Sequence, residues 1–153
     1  MTTLKETLKT DLTAAMKSGN ELAKSTLRMA LSAISNAEVA GNEAIELSDD
    51  QIIKVLQAES KKRAESAELY EQAGRTDAAA KERAEADILA TYLPAAMSVD
   101  ELASVVAEEV QKAAAAGNSG MKAMGSVVKA VRERVGSSAD GSQIADLVKS
   151  ALA

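Results

Sequence analysis

Apolar residues in this chain recur every three or four positions, and almost every such run opens at a helix-capping residue and closes at a glycine or the single proline. That rhythm is the 3.6-residue turn, and no stretch reads as a strand. Thr3 and Glu6 have the spacing of a capping box ahead of Leu4, Leu8 and Leu12, which predicts a first helix over 3–18 ending at Gly19. Asn20 caps a second over 21–40, with Leu27, Leu31 and Ile34 as its stripe and Gly41 as its stop. Ser48 and Gln51 form another capping box before Ile52, Val55 and Leu56, opening the longest helix, 49–73, which Gly74 closes. Thr76 caps a fourth that carries Ile88, Leu89 and Tyr92 up to Pro94, and Pro94 pushes Leu93 out of helical geometry.

Beyond Pro94 the pattern restarts in three shorter segments. Ser98 with Glu101 opens one carrying Leu102, Val105, Val106 and Val110, which frays in an alanine run before Gly117. Ser119 opens the next, with Met121, Met124, Val127, Val128 and Val131 up to Gly136. Asp140 with Gln143 opens the last, carrying Ile144, Leu147, Val148 and Leu152. The expectation is an all-α protein of two parts, a four-helix domain over 1–94 and a three-helix domain over 95–153.

Composition narrows the chemistry. The 153 residues include no histidine and no cysteine, so disulfides, thiol nucleophiles, zinc–thiolate sites and Ser–His or Cys–His catalysis are excluded. Alanine supplies about a fifth of the chain, and β-favouring aromatics are nearly missing. The N-terminus lacks a basic start followed by an apolar block, and no apolar run approaches the roughly 18 residues of a membrane span, so a cytoplasmic protein without membrane attachment is expected. Without a strand leading into a glycine-rich loop, nucleotide-binding folds lack both motif and context. The formal net charge of −5 offers a polyanion no overall attraction, so nucleic-acid binding requires a localised basic face.

Two sets of charges stand out. In the longest helix the steps Ile52, Val55, Leu56, Glu59, Arg63, Ser66 and Leu69 follow one face, which sets Glu59 and Arg63 on the apolar stripe. Glu85 precedes Ile88, Leu89 and Tyr92 at helical spacing, and Arg28 neighbours the Leu31 stripe. Arg28, Glu59, Arg63 and Glu85 are therefore expected to meet as a structural ion-pair network, since buried charges come paired. The second set is cationic: Lys122, Lys129, Arg132 and Arg134 in the sixth helix and Lys149 in the seventh form the best surface for a phosphate backbone, with Lys61 and Lys62 a second patch. Tyr70 and Tyr92 sit at core spacing rather than as stacking platforms, so RNA would be recognised by backbone and shape. Met29, Met121 and Met124 also fall at core spacing. Asp49-Asp50 suit a helix N-terminus; Glu108-Glu109, as helical neighbours, face apart. Neither pair suggests a metal site, and no cofactor is expected.

Several of these residues also carry a family resemblance. Lys61-Lys62-Arg63-Ala64-Glu65-Ser66, Ala73-Gly74-Arg75-Thr76-Asp77, Lys81-Glu82, Glu85 and Tyr92-Leu93-Pro94 resemble the signature of the GatB/YqeY family, as do Leu27-Arg28-Met29, Met124-Gly125 and Ala139-Asp140-Gly141. The resemblance spans essentially the whole chain and keeps motif order and spacing. It implies a stand-alone YqeY-like protein whose second domain is similar to the tail of the B subunit of glutamine-dependent aspartyl/glutamyl-tRNA amidotransferase. In that enzyme the tail helps to hold tRNA, while ATP-dependent activation and ammonia release belong to domains with no counterpart here. By resemblance, then, the chain is a non-catalytic accessory associated with carbon–nitrogen ligase activity that uses glutamine as amido donor. Its implied partners are tRNA and an amidotransferase or aminoacyl-tRNA synthetase. One departure is Ser138, where the family commonly places a basic residue. The other reading of the residues is a protein-interaction module without RNA binding, using an acidic surface or a Met/Val-lined groove. Gly125, inside a helix, suggests a close helix crossing.

Overall fold

The computed structural model describes residues 2–153, and these form seven α-helices, two short 3₁₀ turns and no strand. The chain divides into two compact units, one ending at Leu93 and the other spanning Pro94–Ala153.

In the first unit, α1 (Leu4–Ser18) starts at the reciprocal Thr3/Glu6 capping box and stops at Gly19, whose φ of 72° is left-handed. Asn20 then caps α2 (Glu21–Glu38), its side-chain oxygen accepting from Ala23 N at 3.1 Å. This helix ends two residues before the expected position. Glu38 is held there, its carbonyl accepting from Ile45 N at 2.9 Å and its carboxylate from Lys5 at 2.7 Å. α3 (Asp49–Gln72) opens at the Ser48/Gln51 capping box, and Asp49 Oδ1 also accepts from Leu4 N at 3.0 Å, tying the starts of α1 and α3.

Gly74, with φ of 76°, turns the chain into α4 (Thr76–Ala90). Thr76 is not the cap: Arg75 takes the N-cap position with no side-chain bond, and its guanidinium lies 5.3 Å from the Tyr70 ring. α3 and α4 run antiparallel, pairing Glu71 with Arg83 and Arg63 with Glu85. Leu8, Leu27, Ala30, Ile34, Ile52, Leu56 and Leu89 form the core of this unit. Tyr92 packs on it and donates to Asp11 Oδ2 at 2.5 Å; burial and that carboxylate together push the phenol well above the ordinary tyrosine range.

In the second unit, α5 (Val99–Ala115) begins at the Ser98/Glu101 capping box. Ser119 does not cap the next helix: Gly120, with φ of 71°, leads into a 3₁₀ turn (Met121–Ala123) that runs directly into α6 (Met124–Val135). A second 3₁₀ turn (Gly136–Ser138) precedes α7 (Gly141–Leu152). Asp140 holds the N-cap position of α7 but bonds to the Ser142 hydroxyl at 2.7 Å rather than to a helical amide. Leu102, Val106, Val127, Val131, Ile144 and Val148 meet between the three helices. Met124 packs against this core, whereas Met29 and Met121 are about half exposed, correcting the expectation that all three fill core.

Among the described residues no helix is long and apolar enough to cross a membrane, and no cluster of three acidic side chains could hold a metal ion.

Candidate nucleic-acid interface

α6 buries Val127, Val131 and Val135 on one side, which turns Gly125, Lys129 and Arg132 outward. With Val128 and Glu133 these residues line an open groove of about 340 Å³. Lys129 and Arg132 are exposed, and no acidic side chain among the described residues forms an ion pair with either. A Cβ added at Gly125 would meet nothing within 4 Å, so no helix crosses closely there and the crossing expected from the sequence is absent. Bare backbone instead faces the groove floor. Arg132 reaches further: a Cβ on Gly141 would lie 3.0 Å from its Nη2, so glycine lets the guanidinium rest against the first turn of α7. A cation there adds to the positive end of the helix dipole. The Ala139-Asp140-Gly141 motif was visible in sequence; the long-range contact of Arg132 with its glycine was not.

The other expected cations separate from this pair. Arg134 points towards α5, where it donates to Glu108 at 2.8 Å and Glu109 at 3.0 Å. Those bonds raise the Arg134 pKa above its ordinary value, and the bond from Arg134 is the main reason Glu109 falls below the usual carboxylate range. Lys122, in the 3₁₀ turn, and Lys149, near the end of α7, are exposed and form no ion pair among the described residues. The Ser138 hydroxyl turns back to donate to the carbonyl of Val135, while its own carbonyl accepts from Met97 N at 2.9 Å.

The basic triplet of α3 divides three ways. Lys61 is exposed and unpaired among the described residues, Lys62 bonds Glu59 at 3.1 Å, and Arg63 is buried. Arg63 Nε donates to Glu85 at 3.2 Å, and Nη1 donates to both the carbonyl and the carboxylate of Glu59 at 3.0 Å. Burial drives the Glu59 pKa upward, but the bonds from Arg63 and Lys62 outweigh it and leave the group below the ordinary range. Arg63, Glu59 and Glu85 thus form the ion-pair network without Arg28. Arg28 is exposed, with the Met16 sulfur 4.0 Å away as its contact. Leu31 lies at the edge of the α2 stripe, and the three-residue step back to Arg28 carries it about 60° farther off that face.

The family model for Yqey-like proteins matches residues 5–152. The chain belongs to the YqeY-like family. Two curated relatives carry the name "Altered inheritance of mitochondria protein 41, mitochondrial". The protein from Meyerozyma guilliermondii is 37% identical over 87 residues, which is 57% of this chain and 44% of the relative. The Clavispora lusitaniae protein is 37% identical over 90 residues, covering 59% of this chain and 51% of its own length. The YqeY-like chain therefore spans about half the length of each fungal relative it matches.

Proposed function

We propose that this YqeY-like protein is a non-catalytic accessory that grips the sugar-phosphate backbone of a folded tRNA along α6, its three-helix unit acting like the tail of the amidotransferase B subunit. The observation that carries the reading is the groove that Lys129 and Arg132, neither in an ion pair, line together with the open backbone of Gly125. Unpaired cations can exchange counterions for phosphates, whereas Arg134 would first have to leave two carboxylates. Lys122, Lys149 and Lys61 supply further unpaired positive charge, and Lys62 is already committed to Glu59. The overall charge of −5 makes the contact local and salt-sensitive. We place this role in the cytoplasm, beside a carbon–nitrogen ligase that amidates misacylated tRNA.

A salt titration of tRNA binding tests the reading. Reversing Lys129 and Arg132 to glutamate should weaken binding and flatten the log K against log salt slope by about one for each lost phosphate contact, while Arg134→Glu should change the slope less. No binding at low salt, a salt-insensitive affinity, or equal loss from Arg134→Glu would overturn it. The first two outcomes favour a protein-interaction module, for which half-exposed Met16 and Met29 on α1 and α2 offer pliable contact area.

A further inference from the structure

Arg63 is 4% exposed, and its three nitrogens are unequally served. Nε and Nη1 reach carboxylate or carbonyl oxygens, but the acceptor at Nη2 is the thioether sulfur of Met29, 3.6 Å away. Sulfur is a weak acceptor, and a buried charged donor without a strong one retains part of its desolvation cost. Met29 itself is 49% exposed, and its contact with Arg63 is only part-buried. Met16 and Met121 are equally open, at 51% and 50%, but differ in their neighbours. Met16 faces the exposed guanidinium of Arg28 at 4.0 Å, and Met121 has no hydrogen-bond donor at its sulfur among the described residues.

We propose that Met29 is a reversible methionine sulfoxide site, oxidised by hydrogen peroxide, whose product oxygen is received by Arg63 Nη2. In the reaction a sulfur lone pair attacks one peroxide oxygen and the O–O bond breaks. The transferred oxygen gives up its proton to the departing hydroxide, which leaves as water. Sulfur is oxidised by two electrons and peroxide is reduced by two. The sulfoxide oxygen stands one bond beyond the sulfur, where it accepts a charge-assisted hydrogen bond in place of the N–H···S contact. Methionine oxidation ordinarily loosens packing by adding a polar group that nothing answers, and sulfoxide reductases reverse it. At Met29 the answering donor is already in place, so oxidation ties α2 more firmly to α3 and, through Arg63, to α4.

Tyr70 and Tyr92 both lie in the first unit and the chain has no tryptophan, so tyrosine emission during urea unfolding reports that unit alone. The full chain with Met16→Leu and Met121→Leu is treated with hydrogen peroxide while folded, and oxidation at Met29 is followed by peptide mass spectrometry. The expected result is conversion of Met29 with an unfolding equilibrium constant about tenfold smaller than before treatment. Independently, Met29→Gln, whose amide oxygen stands in for the sulfoxide oxygen, should unfold about tenfold less readily than Met29→Leu. Failure of Met29 to oxidise in the folded protein, an oxidised protein that unfolds more readily, or equal stability of the glutamine and leucine variants would each overturn the proposal.

Discussion

Glu85→Gln removes one charge from the buried network while keeping the side chain's shape. Glu85 is 5% exposed and lies 3.2 Å from Arg63 Nε. At an effective dielectric constant of about 20, a pair at that distance attracts by roughly 5 kcal/mol, much of which offsets the cost of removing both ions from water. Glu59 remains on Nη1 at 3.0 Å, and the glutamine oxygen still accepts a weaker hydrogen bond, so the net loss should be about 2–3 kcal/mol. Arg63→Met should cost about 3–5 kcal/mol, because the buried Glu85 carboxylate then loses its cation and Glu59 keeps only Lys62. The double variant Arg63→Met, Glu85→Leu should return to within about 1 kcal/mol of the parent, since apolar groups of similar volume often replace a buried pair at little cost. Urea titration followed by tyrosine emission reads this directly. For Glu85→Gln the midpoint should fall by about 1–2 M at an ordinary denaturant slope. An unchanged midpoint, or a double variant as unstable as Arg63→Met, would refute the view that burial sets the energetics here.

Gly125→Ala should stabilise the second unit by up to about 1 kcal/mol, because the added methyl meets open space and glycine is costly in a helix; slower amide exchange in α6 checks this, and faster exchange contradicts it. The same methyl should weaken tRNA binding if a phosphate lies against the Gly125 backbone. Acid should destabilise both units. Glu38 and Glu59 in the first unit and Glu109 in the second have folded pKa values below the ordinary range, so the folded state takes up protons less readily than the unfolded one. Their contribution is complete above about pH 4.3 and is lost as the pH falls through the depressed values. The urea midpoint should therefore hold steady from neutrality to about pH 5 and drop below it; a midpoint that rises on acidification contradicts the assignment.

What was legible in the sequence was what is encoded locally. Thr3 with Glu6, Ser48 with Gln51 and Ser98 with Glu101 each satisfy two backbone donors within four residues, so the caps of these three helices could be named from the sequence. Thr76 and Ser119 carry the same cap chemistry, but Gly74 and Gly120 adopt left-handed backbone beside them, and that geometry decides where the next helix begins. Arg63 and Glu85 could be assigned to the interface because each shares a face with apolar residues of its own helix. Arg28 could not be placed so well, because it lies one step beyond the edge of its stripe.

The candidate interface divides along the same line. That Lys129 and Arg132 share a face follows from their three-residue spacing, whereas the loss of Arg134 from that face depends on Glu108 and Glu109, more than twenty residues away on α5. No periodicity within α6 carries that information. Nor does net charge, because it does not say which charges are held in pairs: Glu38 by Lys5, Glu59 and Glu85 by Arg63, Glu71 by Arg83, Glu108 and Glu109 by Arg134. Six carboxylates are thus answered by four cations, and Lys5, Arg83 and Arg134 are no longer free to meet a ligand. Pairing withdraws carboxylates and cations together, so any attraction for a polyanion has to be local, and along α6 it comes from Lys129 and Arg132, which share one groove lining with Glu133.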